Sequence, residues 1–373
     1  MKFRNLIFFI VVLFCFYSCS QKEKDSKSIT IGWIGVLTGE AAPYGISVKN
    51  GTELALEEIV KSGALDKSIS IKYEDDKADP KTGINAINKL ISVYNPVVII
   101  QAAASSVMLA NIPIAEKSKI VYISPSCSND KIKEGGDYVF RIWPSDSFQG
   151  TYIARYILKE IHLKKAAIIY IKNDFGTGLK NAFKNEFIKI GGEIVAEESF
   201  NQDAVEMRTQ LSKIKETDAE IVFIPSHVKE TVRALKQAKE LGITIPFFAD
   251  AAAFSTELIS GAGEAAENLY IANLDWDINS NDPLISNFVK KYNEKFGKSP
   301  DIYAAAGYDC LMVIAKAIKK SQNITSENIK NELYKIQNYQ GITGKISFDD
   351  YGEVEKEYSV YKVNQGKFCK IKM

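Results

Sequence analysis

The feature that most limits the fold is a repeated alternation of short apolar runs with amphipathic stretches. Residues 29–37 read as a strand, 48–62 as a helix with apolar residues at helical spacing, 68–73 as an alternating strand and 80–94 as a second helix. Asp79 before Pro80 has the form of an N-cap followed by proline at the first helical position. The run 96–100 is apolar throughout, which suits a parallel sheet covered on both faces. A helix at 107–117 and a buried strand at 120–124 follow.

The alternation then restarts. It predicts a helix at 148–161, a strand at 166–170, and a helix at 178–190 stopped by Gly191 and Gly192. A strand at 193–200, a helix at 207–215, a strand at 221–225, a helix at 229–241 and a strand at 246–249 come next. Each half reads βαβαβ, the pattern of a doubly wound parallel sheet. Helices at 283–296, 302–320 and 326–336 and strands at 345–348 and 358–363 close the chain, with turns at 349–352 and 364–366. A chain of 373 residues exceeds the usual size of a single core. The expectation is two α/β lobes with a cleft between them, where pockets tend to lie.

The N-terminus has the layout of an export signal. A basic start with Lys2 and Arg4 precedes an apolar run at 6–16, too short to span a bilayer comfortably, and then Ser18 and Cys19. Removing residues 1–18 takes the formal charge from +1 to about −1. Such a balance gives no support for nucleic-acid binding. The Lys- and Ser-rich stretch up to residue 28 buries too little to fold alone and reads as a tether. Of five cysteines, Cys127, Cys310 and Cys369 remain in the body of the chain; three scattered thiols make neither metal spacing nor a disulfide framework.

Several segments resemble, in order, type I periplasmic binding proteins of the leucine/isoleucine/valine-binding class. They are GVLTGEAAPYG at 35–45, EDDKADP at 74–80, ISPSCS at 123–128, FRIWPSD at 140–146, NDFGTG at 173–178, LKQA at 235–238, DIYA at 301–304, GYD at 307–309 and GITG at 341–344. The resemblance implies two doubly wound parallel-sheet lobes joined by a three-segment hinge. It places 29–143 plus 275–348 in lobe 1 and 144–274 plus 349–373 in lobe 2. It further implies an extracytoplasmic substrate-binding protein of an ABC importer, working with a permease and ATPase complex and binding a branched-chain or related amino acid. The signal resembles that of a bacterial lipoprotein, with Cys19 as the lipidated residue, better placed than Cys15. That implies export and a lipid anchor at the bacterial cell membrane or periplasm. A monomer is expected, with no cofactor.

Ligands of open α/β sheets bind outside the carboxyl ends of strands. Tyr44, in the loop expected after the first strand, offers a ring and a hydroxyl; the alternative is a turn residue packed on its own lobe. Ser105 and Ser106 open a helix, where hydroxyls, free N–H groups and the helix dipole suit an α-carboxylate; the alternative is that they only cap it. By resemblance, Cys127 and Ser128 stand where the family offers a carbonyl to the ligand's ammonium and a hydroxyl to its carboxylate. Cys127 reads as a small apolar lining residue. Phe175 stands where the family usually has tyrosine, and His227 where it often has an aromatic. Asp250 stands where it carries the acid that pairs with the ammonium; the alternative is a loop aspartate or helix cap. The acids Glu74, Asp75, Asp76 and Asp79 do not match a Ca²⁺ loop, so no metal is expected. Dinucleotide, phosphate-loop, zinc-protease and nucleophile-elbow motifs are absent from the sequence. Two other functions stay open: a ligand sensor signalling to a membrane receptor, and an amide- or urea-binding protein. An enzyme using Cys127 is the least favoured.

Overall fold

A computed structural model describes residues 28–371. The expected signal, Cys15, the lipidation site Cys19 and the tether up to residue 27 lie outside the described residues.

The first sheet is wholly parallel. Its strands are β1 (Ile29–Gly35), β2 (Ile69–Asp75), β3 (Val98–Ala102), β4 (Val121–Ser124) and β5 (Val139–Arg141), in the order β2-β1-β3-β4-β5. Strand β3 is buried along its whole length, as its continuous apolar run requires. Helices α1 (Ala42–Ser62), α2 (Pro80–Lys89) and α3 (Ser105–Lys117) make the crossovers. Asp79 caps α2, its Oδ2 accepting from Thr82 N at 2.7 Å.

The second sheet carries β6 (Lys165–Ile171), β7 (Glu193–Phe200), β8 (Ile221–Ile224), β9 (Phe247–Ala249) and β10 (Tyr270–Leu274) as a parallel set. Two antiparallel strands, which follow two small terminal strands β11 (Tyr339–Gly341) and β12 (Gly344–Ile346), extend it: β13 (Tyr358–Asn364) and β14 (Lys367–Lys370). Its order is β14-β13-β10-β9-β8-β6-β7. Its helices are α4 (Asp146–Lys159), α5 (Asp174–Lys189), α6 (Arg208–Lys215), α7 (Val228–Glu240) and α8 (Thr256–Ala262). The chain passes between the sheets three times: after β5, after β10 and before β13.

Between the second and third passages, α9 (Pro283–Phe296), α10 (Ile302–Lys320) and α11 (Ser326–Tyr334) return to the first sheet. Helices α1 and α10 pack backbone to backbone. A Cβ on Gly51 would stand 1.8 Å from Ala304 O, and one on Gly307 2.2 Å from Val48 O. Only glycine permits that approach.

Three expectations are corrected. Helix α1 begins at Ala42, not at residue 48, because Ala41, Ala42 and Gly45 lack the apolar bulk that announces a helical face; Tyr44 therefore lies in a helix, not a loop. Helix α5 begins at Asp174, not at 178. Asn173 caps it by accepting from Gly176 N at 2.9 Å, and Phe175 sits in its first turn. The glycines there read as turn residues, yet Gly178 is needed because a Cβ would lie 2.3 Å from Asp146 Oδ2. Lastly, the chain rejoins the second sheet at Tyr358 and not at 349. Before that, Arg141 N donates to Gly352 O, Arg141 pairs with Glu353, and Lys356 Nζ donates to Thr343 O at 3.1 Å.

Candidate functional site

The carboxyl ends of both parallel sheets face one cleft. It encloses about 700 Å³, counting the mouth that opens to solvent. From lobe 1 it is lined by Tyr44, Ser105, Ser106, Ser126 and Ser128, and from lobe 2 by Phe175, His227 and Asp250. Seven of the eight residues expected at the site thus come together.

The eighth does not. Cys127 is absent from the lining. Its side chain turns away from the cleft into the apolar cluster of Ile34, Met108 and Tyr122. Its Sγ lies 3.3 Å from Ala103 O, and burial pushes its thiol up to about 12. The reason is the turn after β4: Ser124 Oγ accepts from Cys127 N at 2.9 Å and from Ser126 N at 3.2 Å, which turns residue 127 inward and the serines on either side outward.

The floor on the lobe 1 side is the N-terminus of α3. Ala104 occupies the N-cap position and no side chain caps the helix, so Ser105 and Ser106 are not capping residues. Ala103 and Ala104 both have left-handed backbone, with φ of 63° and 62°. For alanine this conformation is uncommon and strained. It aims the start of α3 at the cleft, beside Ser126 Oγ, which accepts from Ala103 N at 3.0 Å. Ser105 Oγ accepts from Ser128 N at 3.3 Å.

Opposite stands Asp250, fully buried at the end of β9. Its Oδ2 accepts from Ser226 N at 3.0 Å and its Oδ1 from Ala252 N at 2.7 Å. It is therefore a cap as well as a lining residue. Burial pushes its carboxyl up to about 7 against the opposing effect of these N–H donors. A second acid, Asp146, lies close by and is also fully buried. Burial raises its pKa well above the carboxylate range, against the opposing effect of the Ser128 hydroxyl beside it. Among the described residues, no lysine or arginine lines the cleft.

Aromatic rings form the remaining wall. Phe175 and His227 stack with centroids 5.6 Å apart and planes 3° apart. Tyr44 meets His227 at 5.4 Å and Tyr303 at 5.1 Å. Burial lowers the His227 pKa, against the pull of Glu230 and Asp203.

The cleft is shut. Tyr44 Oη, on lobe 1, donates to Ala252 O at 2.8 Å and accepts from Val228 N at 2.9 Å, both on lobe 2. Outside it the Arg233 guanidinium holds both oxygens of Glu40 across the gap, at 3.0 and 3.2 Å. Asn129 Nδ2 donates to Asp174 O at 2.6 Å. Glu40, Asp203 and Glu230 lie within reach of one another for a metal, but Arg233 already neutralises Glu40. The acids at 74–79 hold loops instead: Asp75 accepts from Leu37 N and Thr38 Oγ1, and Asp76 from Ala78 N and Gln101 Nε2.

The cleft also uses residues that sequence reasoning did not single out: Ser126, Trp143, Gln149, Asn173, Gln202 and Tyr303. Most lie inside the segments noted above at 123–128, 140–146, 173–178 and 301–304. Gln202 follows β7 with no local signal.

A family model described as periplasmic binding protein matches residues 28–367. Over 340 residues the chain is 25% identical to the leucine-, isoleucine-, valine-, threonine- and alanine-binding protein of Pseudomonas aeruginosa, covering 90% of each. It is 25% identical over 343 residues to the Leu/Ile/Val-binding protein of Citrobacter freundii, covering 90% of this chain and 91% of that one. Among solved structures it resembles a leucine-binding protein from Thermotoga maritima, with a TM-score of 0.87 and 29% identity over 92% of this chain and 98% of the other. It also resembles a branched-chain amino acid transporter substrate-binding protein from Streptococcus pneumoniae in complex with isoleucine, with a TM-score of 0.84 and 28% identity over the same shares.

Proposed function

The chain belongs to the periplasmic binding protein family, and from that premise we propose that it is the substrate-binding component of an ABC importer, enclosing a branched-chain or related amino acid between its lobes. The observation that carries this reading is the opposition, within one closed cleft, of an uncapped helix start and a buried acid. The α3 terminus, with Ser105, Ser106 and Ser128, offers donors to an α-carboxylate. Asp250 offers a charge-assisted hydrogen bond to an ammonium. Tyr44, Phe175, His227 and Tyr303 wall in an apolar side chain.

Closure follows from differential binding. The ligand touches both lobes only when they are shut, so it favours that state. Tyr44 and the Glu40–Arg233 pair add to it without touching the ligand's head group. Cys127 is inward-facing with a raised thiol pKa, which counts against its use as a nucleophile. The work of the protein is then capture and delivery to a permease and ATPase complex, outside the cytoplasm and on a lipid anchor at Cys19.

A thermal-shift screen over amino acids, small amides and aromatic acids tests the reading, since a ligand that binds only the folded state raises the melting midpoint. Leucine, isoleucine, valine, threonine or alanine should raise it. A shift by amides alone, with none from any amino acid, would contradict it.

A further inference from the structure

We propose that Trp143 sets the upper size of the side chain that the cleft accepts, so that the ligand is an amino acid with a compact aliphatic side chain; this rests on the amino-acid reading above. Trp143 lies at the first passage between the lobes, between β5 and Pro144. Its backbone is confined there: Ile142 N donates to Ser124 O at 2.9 Å, and the following proline restricts residue 143 to extended conformations. Only 3% exposed, it nevertheless lines the cleft.

The indole cannot easily swing aside. It stacks on the Tyr303 ring, centroids 5.2 Å apart and planes 8° apart. Tyr303 takes the edge of Tyr44 at 5.1 Å and 76°. The Tyr44 hydroxyl is held at both of its hydrogen bonds by lobe 2. A line of rings thus runs from the crossover to the opposite lobe, and closing the cleft fixes every member of it. Ring pairs in such offset and edge contacts are favoured beyond their buried area.

Outside the ring wall, much of the lining is small: Ala103, Ala104, Ser126, Ser128, Ala251 and Ala252. The indole is the bulk among them, and close-packed surroundings do not expand to admit more atoms. A side chain directed toward the crossover therefore meets the indole. The size limit so proposed spares alanine, valine and threonine and penalises phenylalanine and tryptophan.

The test is calorimetric titration of the wild-type protein, Trp143→Ala and Trp143→Phe with alanine, valine, leucine, phenylalanine and tryptophan. A steric limit of this kind discriminates by about tenfold or more. The wild type should bind valine at least about tenfold more tightly than phenylalanine. In Trp143→Ala that ratio should fall by about tenfold or invert, with Trp143→Phe between. If Trp143→Ala does not fold, Trp143→Phe must still move the ratio in the same direction. Equal loss for every ligand would reduce Trp143 to a scaffold role, and phenylalanine binding to the wild type as tightly as valine would overturn the size limit. Binding of no amino acid by the wild type is a different failure: it removes the reading on which the inference stands.

Discussion

Replacing Asp250 by asparagine should abolish a pH dependence that the wild-type protein displays. The carboxyl is pushed up to about 7 by burial in the closed cleft. A ligand ammonium binds the ionised form. At about pH 5.5, some 1.5 units lower, roughly one molecule in thirty carries the charge, so binding should weaken by about 2 kcal/mol, at about 1.4 kcal/mol per unit. Affinity therefore rises as pH increases toward about 7 and then levels off. Stability of the fold itself runs the other way. The folded pKa exceeds the unfolded carboxylate value, so Asp250 favours the fold below about pH 4 and loses that contribution as pH rises through about 7. Asp250→Asn keeps the shape and one acceptor for Ala252 N, but it removes the charge and sets an amide donor against Ser226 N. At about pH 8 it should bind about 1.5–3 kcal/mol more weakly, the range for hydrogen bonds to charge, and its affinity should be nearly flat with pH. Isothermal titration at a series of pH values reads both. Equal pH profiles in the two proteins would refute the pairing of Asp250 with the ligand, and would turn attention to Asp146.

Other consequences follow from single contacts. Tyr44→Phe removes a donor and an acceptor between the lobes, so dissociation measured by stopped flow should quicken, with a loss of about 1–2 kcal/mol in affinity. Arg233→Ala releases Glu40, and the closed form should become less compact by X-ray scattering without ligand, an effect that high salt imitates in the wild type. Of the three body cysteines, only the exposed Cys369 should react with a thiol reagent in the native state, because Cys127 and Cys310 are buried; labelling of Cys127 would contradict its inward orientation. Gly51→Ala forces the α1 and α10 backbones apart and should lower stability by about 1–3 kcal/mol or more, read by thermal unfolding.

Much of the fold was legible because burial imposes period. Strands covered on both faces read as apolar runs: β8 is apolar throughout, and β3 is apolar up to Gln101. Helix starts were less legible. At α1 and α5 they are built from alanine and glycine, chosen for close approach rather than for apolar pattern. In the cleft, residues placed by strand ends and by resemblance converge, whereas Cys127 was misread: alternate residues of a tight turn face opposite ways, and spacing alone does not say which face Ser124 selects. Trp143 and Tyr303 were missed although each sits in a segment noted for its resemblance, because the sequence does not show that their rings stack beside the cleft.

The central claim, an amino acid held head-first between two closed lobes, is tested most directly by the crystal structure of the complex with whichever amino acid gives the largest thermal shift. The account predicts the α-carboxylate against the start of α3, within hydrogen-bond distance of Ser105 or Ser128, and the ammonium on Asp250, with the side chain against the wall of Tyr44, Phe175 and His227 and short of Trp143. A ligand in the opposite orientation, or one bound outside this cleft, would contradict it.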